Sequence, residues 1–430
     1  MKNSKTLDSL EDWLVRLETL SSIEINLGLE RVDVVLKRLN LKKFEYVISI
    51  AGTNGKGSTA AILSALLKEM SFCVGSYTSP HLHKYNERIN INGISVSDEQ
   101  IVQAFKRVES KRQTEPLTYF EYGTLAALSI FAENRVDIAI LEVGLGGRLD
   151  AVNAIDSNAC VITNVTLDHR QWLGNDIESI ALEKAGIMRK NKPVVFGSKT
   201  VPSNIKKHAH KIGSDLLLAG IDYDFLVNEN GTWDWYCKSI VVNNIKNLSL
   251  NGIHQIENAS AALALIASLK NINFPSKKII NRSLRDIVLP GRQEVVCLND
   301  VTWLLDVAHN PDAARVLYDT ILKLDYDGNL IIVVGFLMDK QVSSFVKIIH
   351  SLVHRWIVCD LDHPRAIPAE KLSFLISSQL DKPVQITDSV MNALSHANSI
   401  ANPGDMVLVT GSFYTVGPAL KWIELQIQDK

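Results

Sequence analysis

The stretch Tyr46-Val47-Ile48-Ser49-Ile50-Ala51-Gly52-Thr53-Asn54-Gly55-Lys56-Gly57-Ser58-Thr59 decides the fold. An apolar run of strand length opens it, a glycine-rich turn follows, and the helical pattern Ala60 to Met70 comes next. Strand, glycine turn and helix is the setting in which a phosphate-binding loop works. Glycines let the backbone turn tightly and bring several N–H groups to a polyphosphate. The positive end of the helix adds attraction. Lys56 is placed to reach the outer phosphates, and Ser58 or Thr59 can offer a hydroxyl to Mg²⁺. The spacing departs from the common G-x-x-x-x-G-K-[ST] form: only Thr53 and Asn54 separate Gly52 from Gly55, and Gly57 stands between Lys56 and Ser58. A plain glycine turn has no need of a lysine and two hydroxyls just after it, so ATP binding is expected.

Working outward, apolar runs of strand length alternate with helical patterns. Strands are expected at 46–50, 72–77, 136–143, 159–163 and 193–196, with helices near 97–110, 119–133 and 176–189. Ser97 with Gln100 reads as a capping box. Val- and Ile-rich strands between helices imply a parallel sheet covered on both faces. The stretch 214–253 has short alternating strands and Asn-Gly pairs at 230–231 and 251–252, which predicts an antiparallel patch, and a helix near 254–270 follows. Leu289-Pro290-Gly291-Arg292 is a natural break, after which strands are expected near 302–306, 329–335, 355–360 and 405–411. The fold class is therefore α/β: a P-loop-type parallel-sheet domain over 1–292 with a small antiparallel patch, then a smaller Rossmann-like domain over 293–430.

The bulk numbers agree. A chain of 430 residues exceeds what one core usually serves. With 46% hydrophobic residues, 21% charged residues and a net charge of −2, it has an ordinary globular composition and no basic footprint for nucleic acid. No apolar stretch has membrane-spanning length, and Met1 to Leu20 is charged and helix-like, so a cytoplasmic protein is expected. The cysteines Cys73, Cys160, Cys237, Cys297 and Cys359 are scattered, and most sit in apolar runs, as buried thiols do.

Polar residues at strand ends are the candidates for chemistry. Ser79-Pro80-His81 follows the second strand, where α/β proteins place ligands, although a solvated proline loop would read the same. Glu142 ends a buried run and needs a metal or an arginine partner. Asp168-His169 follows another strand; imidazole can ligate a metal or position a phosphate. Lys184 lies on a helix, where a solvated lysine is the simple reading. Asp306-Val307-Ala308-His309-Asn310-Pro311 follows a strand of the second half, with Asn310 placed to cap the next helix. Arg292 can grip a phosphate or form an interdomain salt bridge.

Taken in order, these residues resemble the folylpolyglutamate synthase/dihydrofolate synthase family of the Mur-ligase group. The matching segments are Leu27 to Val32, 51–59, Thr78 to Leu82, Asn86-Glu87-Arg88, Glu142 to Asn153, Asp168 to Gly174, Glu183 to Ile187, Asn258-Ala259, Pro290 to Arg292, Asp306 to Pro311 and Gly411 to Gly417. The resemblance implies that Gly55, Lys56, Gly57 and Ser58 hold the ATP phosphates, Asn258 the adenine, and Arg292 and Asp306 ATP from the C-terminal domain. It implies Mg²⁺ at two sites, one on Ser79 and Glu142, the other on His169. Lys184 matches a lysine carried as a carbamate, and Lys56, Lys184, His169 and His309 form the implied catalytic set. For the pterin it implies Leu27, Gly28 and Leu29; Thr118, Tyr119, Phe120 and Glu121; and Leu149, Asp150 and Ala151, with Asp150 as the hydrogen-bonding carboxylate. Two departures are Ser21-Ser22, where relatives often carry His-Pro, and Gln341, where an acidic residue is frequent.

The implied activity is ATP-dependent addition of L-glutamate to 7,8-dihydropteroate and to reduced folates through an acyl phosphate. The implied partners are small molecules alone, with neither nucleic acid nor membrane, and the implied state is a monomer. A monofunctional folylpolyglutamate synthase is the alternative within the family, and an ATP-driven switch module the alternative outside it. The inserted Gly57 and the Asp306 to Pro311 segment fit the folate branch better than a cell-wall ligase.

Overall fold

The computed structural model describes residues 8–20, 26–380 and 383–428, so Ser21-Ser22 lies outside the described residues. The chain forms two compact units. The first takes in Met1–His81, Tyr85–Ser249 and Ile253–Ile287, and the second Leu82–Lys84, Leu250–Gly252 and Val288–Lys430. A single cut in the sequence misses the two tripeptides. Within the second unit, a Cβ on Gly417 would stand 2.5 Å from the Leu82 carbonyl oxygen, so that segment is packed there.

The first unit is built on eight strands: β1 (Tyr46–Ala51), β2 (Val74–Tyr77), β3 (Ile89–Ile91), β4 (Ile94–Ser95), β5 (Ile138–Glu142), β6 (Ala159–Ile162), β7 (Pro193–Phe196) and β8 (Asp215–Leu218). Their order is β4-β3-β2-β5-β1-β6-β7-β8. From β2 to β8 the pairs are parallel, while β3 and β4 add an antiparallel edge. Val47 to Ala51 are buried, as a central parallel strand requires. β1 lies between β5 and β6, so the loops leaving all three strands open at one end of the sheet.

Helix Asp98–Arg112 starts on the expected capping box, and Thr118 with Glu121 makes a second box for Tyr119–Glu133. Each N-cap is worth about 1 kcal/mol. The latter helix packs closely on β2, because Gly75 leaves room for Phe131.

The antiparallel patch is β9 (Tyr223–Val227), β10 (Trp233–Cys237) and β11 (Ile240–Ile245), ordered β11-β10-β9. It is smaller than 214–253 suggests. β8 pairs parallel with β7 instead, and of the two Asn-Gly pairs Asn230-Gly231 lies in a hairpin turn, between β9 and β10, while Lys238-Ser239 turns β10 into β11. The patch rests on helix Ile253–Ser268: Trp235 Nε1 donates to the Ser260 carbonyl at 3.2 Å, and its ring stacks on Phe274 at 5.2 Å.

The second unit has β12 (Glu294–Leu298), β13 (Val301–Leu305), β14 (Leu330–Val334), β15 (Arg355–Cys359), β16 (Val384–Thr387) and β17 (Met406–Thr410). Their order is β12-β13-β17-β14-β15-β16, parallel except for β12 against β13. Apolar clusters cover both faces, one around Phe336 and Phe345 and the other around Trp303 and Trp422. Among the described residues no helix is long and apolar enough to cross a membrane.

A methyl group at Gly75 would meet the Phe131 ring at 2.7 Å. Gly75→Ala is expected to destabilise the first unit by about 1–3 kcal/mol, as overpacking does. A urea titration reads this as a lowered midpoint at unchanged slope.

Candidate active site

The glycine-rich turn leaves β1 and enters helix Lys56–Glu69 through Gly55, whose φ of 83° is left-handed. Gly52 has φ 149°, and a Cβ there would lie 1.8 Å from Thr163 Oγ1. A Cβ on Gly55 would lie 2.6 Å from Asn258 Oδ1. Glycine at both positions therefore answers to backbone shape and to close neighbours. The segment after β6 grips the turn: Asn54 N donates to Asn164 Oδ1 at 3.0 Å, Thr53 N to the Asn164 carbonyl at 3.1 Å, and Thr163 Oγ1 to the Asn54 carbonyl at 2.6 Å. Thr163 and Asn164 were missed as site residues; their position at the end of β6 was the available signal.

The turn is strongly cationic. Lys56 Nζ donates to the carbonyls of Gly52 and Thr53 at 3.1 and 3.2 Å. Lys184 Nζ donates to the same Gly52 carbonyl at 2.9 Å. The solvated lysine that helix position alone suggests is thus corrected: Lys184 is 4% exposed, because its face of helix Ile177–Ala185 turns inward. Burial first, and Lys56 second, push its amine from 10.5 down to about 7.

Carboxylates border the turn as well, with Asp168 and Asp150 acting on the Lys184 amine. Glu142 at the end of β5 is 4% exposed, and its Oε2 accepts the backbone N–H of Ser79 at 3.1 Å. A Cβ on Gly57 would stand 3.7 Å from the same oxygen, so the phosphate turn, Glu142 and the Ser79 loop meet. Asp168 is buried, and its Oδ2 lies 3.8 Å from His169 Nε2. His169 itself has a left-handed φ of 51°. Asn258 is buried beside Gly55 with its amide on Gln255 at 3.1 Å.

The three segments expected at a pterin converge. Gly28 N donates to the Leu149 carbonyl at 3.3 Å, Arg31 pairs with Glu121 at 2.7 Å, and the Phe120 ring fills the space that Gly144 leaves. Glu121 Oε2 also accepts from Thr118 N at 2.7 Å, so this carboxylate is committed to the helix start. Asp150 is engaged in the same way, accepting from Leu145 N at 2.9 Å and Val152 N at 3.0 Å. Burial raises its carboxyl to about 6 against the pull of those N–H groups.

In the second unit, Asp306 accepts from Gln293 N at 3.0 Å and Ala308 N at 2.7 Å. Its carboxyl is raised by burial, and the charge of Arg292 opposes the rise. The Arg292 guanidinium lies 5.1 Å from the Phe413 ring centre. His309 Nδ1 is 2.8 Å from the Val307 carbonyl, which assigns the proton to Nδ1. Asn310 caps helix Pro311–Ile321 through Ala313 N at 2.9 Å, the role its sequence position indicates.

With this geometry in place, the comparisons decide the family. The Mur ligase middle domain model matches residues 50–266, and the model of the Mur ligase glutamate ligase domain matches 291–413. Curated dihydrofolate synthase/folylpolyglutamate synthases match end to end: the Escherichia coli protein is 39% identical over 96% of both chains. This chain belongs to that family of Mur ligases. The Bacillus subtilis member is 32% identical over 92% of this chain and 94% of its own. The structure of Escherichia coli FolC in complex with DHPP and ADP superposes with a TM-score of 0.91 at 37% identity, covering 98% of this chain and 99% of that one. A bifunctional folylpolyglutamate synthase/dihydrofolate synthase with Mn, AMPPNP and L-glutamate bound gives 0.89 at 37%, over 97% and 98%.

With its amine lowered to about 7, Lys184 exchanges its proton around neutral pH, where an ordinary lysine stays charged. Competitive acetylation of Lys184 in CO₂-free buffer, read by mass spectrometry, is expected to rise with a midpoint near pH 7. A midpoint near the ordinary 10.5 would contradict the burial argument.

Proposed function

We propose that the chain is an ATP-dependent ligase that joins L-glutamate to 7,8-dihydropteroate and to reduced folates, releasing ADP and phosphate. The observation that carries this reading is the meeting of the phosphate turn, Glu142 and the Ser79 loop at the carboxyl end of one sheet, beside the converging segments 27–29, 118–121 and 149–151. An activated carboxylate, a nucleotide and an aromatic acceptor need such a crevice.

The charges set the order of events. The acceptor's carboxylate attacks the γ-phosphorus of ATP, the bond to the β-γ bridging oxygen breaks, and ADP leaves. The glutamate amine then attacks the acyl phosphate carbon and expels phosphate, losing a proton. Two anions meet in the first step, so Lys56 and the turn's N–H groups lower the barrier by balancing phosphate charge. Arg292 and Asp306 are assigned to ATP from the second unit, Asn258 to the adenine, and His309 to the same group of residues. The first unit is thereby assigned the phosphates, the adenine and the pterin, and the second supplies Arg292 and Asp306.

The hard oxygen donors Glu142 and Ser79, next to the phosphate turn, fit one Mg²⁺, and His169 beside Asp168 fits a second. When bound, Mg²⁺ supplies further screening of phosphate charge. A neutral Lys184 amine suits carbamate formation: nitrogen bonds to the carbon of CO₂ and a proton leaves, turning a cation into an anion. Five free cysteines accord with a reducing compartment such as the cytoplasm, and the chain is assigned there as a monomer.

The test is phosphate release from Mg-ATP and L-glutamate with dihydropteroate, with tetrahydrofolate or with no acceptor, alongside product masses. Glutamylated product from both acceptors is expected. Product from tetrahydrofolate alone would reduce the enzyme to the polyglutamylating activity, and equal release without an acceptor would refute the ligase. Lys56→Ala and Glu142→Ala are expected to lower turnover by about 10²–10³-fold or more. Both should keep the far-UV spectrum of the folded chain, and full activity in either would remove its assigned role.

A further inference from the structure

Asn153 lies in the 3-10 turn Ala151–Ala154, just past the acceptor segment 149–151, and is 7% exposed. Its backbone N–H donates to the Asp150 carbonyl at 2.8 Å, which closes the turn. Its Nδ2 donates to the Arg148 carbonyl at 3.0 Å and to the Gly186 carbonyl at 3.1 Å. Its Oδ1 accepts from Arg189 Nη2 at 2.9 Å. Both amide hydrogens and the amide oxygen are engaged, and an amide in this orientation satisfies two carbonyls and a guanidinium together.

Gly186 follows the last residue of helix Ile177–Ala185, which carries Lys184. The acceptor loop and this helix end are interlocked. Arg148 N donates to the Glu183 carbonyl at 2.8 Å. A Cβ on Gly186 would stand 2.5 Å from Arg148 Cα, and one on Gly147 would stand 3.1 Å from the Lys184 carbonyl oxygen. Arg189 brings a second donor to the Gly186 carbonyl at 3.3 Å and pairs with Asp156 beyond the turn. Lys184 in turn reaches the Gly52 carbonyl of the phosphate turn. A continuous set of bonds thus runs from the acceptor loop, through Asn153 and Gly186, to the turn assigned to ATP.

The proposed reaction depends on the distance that this set controls. Reactants held on separate segments react when their atoms stand about 3–3.5 Å apart, and an error of about 1 Å costs about 100-fold. The chain leaves the sheet after Glu142 and returns to it at Ala159, so the acceptor loop takes its place from what it bonds to. Asp150 fixes the inside of that loop through Leu145 N and Val152 N. Asn153 fixes the loop against the helix of Lys184.

We propose that Asn153 is a positioning residue of the ligase: it holds the acceptor loop against the Lys184 helix and so aligns the acceptor's carboxylate with the outer phosphate. This rests on the ligase reading above. Asn153 acts through the loop and the helix, and it touches neither reactant.

The test uses the full chain with Mg-ATP, L-glutamate and 7,8-dihydropteroate, and counts phosphate released per glutamylated product. The wild-type protein is expected to release one phosphate per product. Asn153→Asp keeps the size of the side chain but turns an oxygen toward the Arg148 and Gly186 carbonyls. Its kcat for product is expected to fall by about 100-fold, with KM for ATP and for the acceptor each within about threefold. Phosphate per product should rise severalfold, because water takes the γ-phosphoryl group when the carboxylate is out of line. Asn153→Ser removes the amide without adding charge; it should show the same two signs and provides the reading if the aspartate variant does not fold. Loss of folded protein alone lowers phosphate and product together. A ratio that stays at one, or an unchanged kcat, in whichever variant folds would therefore overturn the proposal. Absence of glutamylated product from the wild-type protein would overturn the ligase reading itself, an outcome distinct from any change confined to the variants.

Discussion

The Gly52 carbonyl carries two lysines, and the site depends on that arrangement. Lys56 and Lys184 both donate to it, the first from the helix that leaves the turn, the second from a helix more than a hundred residues later. Two ammonium groups on one carbonyl repel each other, and burial makes the repulsion stronger than it would be in water. Asp168 and Asp150 offset part of that repulsion, while burial and Lys56 lower the Lys184 amine to about 7. A cationic turn waiting for a polyanion is the result. The glycines at positive φ and the Thr163–Asn164 grip keep its shape before any ligand arrives.

Around that turn the carboxylates divide into two kinds. Asp150 and Glu121 are occupied by backbone N–H groups and fix the loops that carry them. Glu142 sits where the Ser79 loop approaches the turn. Glu142 too accepts a backbone N–H, from Ser79, and what sets it apart is its place beside the phosphate turn, where a buried carboxylate can answer to a cation. The acceptor segments owe their convergence to the first kind, since Arg31 and the Thr118 box both close on Glu121.

The parallel core was legible in the sequence because β1, β5, β6 and β7 are predominantly apolar runs, and Ser97 announced its helix through Gln100. The edges were not. β3, β4 and β16 are short, and β12 alternates half-buried and exposed residues as an antiparallel edge does. β8 reads as part of the polar patch because Asp215 opens it, yet its pairing with β7 is a tertiary fact. In the site, Glu142 stood out as a charge ending a buried strand. Lys184 did not, because nothing local says which face of its helix turns inward. The commitments of Asp150 and Glu121 to backbone donors also needed coordinates, since a free and a capping carboxylate look alike in a sequence.

The central claim is that ATP acts on the acceptor's carboxylate, with glutamate entering second. The direct measurement uses dihydropteroate labelled with heavy oxygen in that carboxylate, with mass analysis of the phosphate released during glutamylation. The account predicts transfer of one labelled oxygen to phosphate for each product formed, because the acyl phosphate breaks at carbon. Unlabelled phosphate, with the label kept entirely in the product or unreacted acceptor, would contradict it.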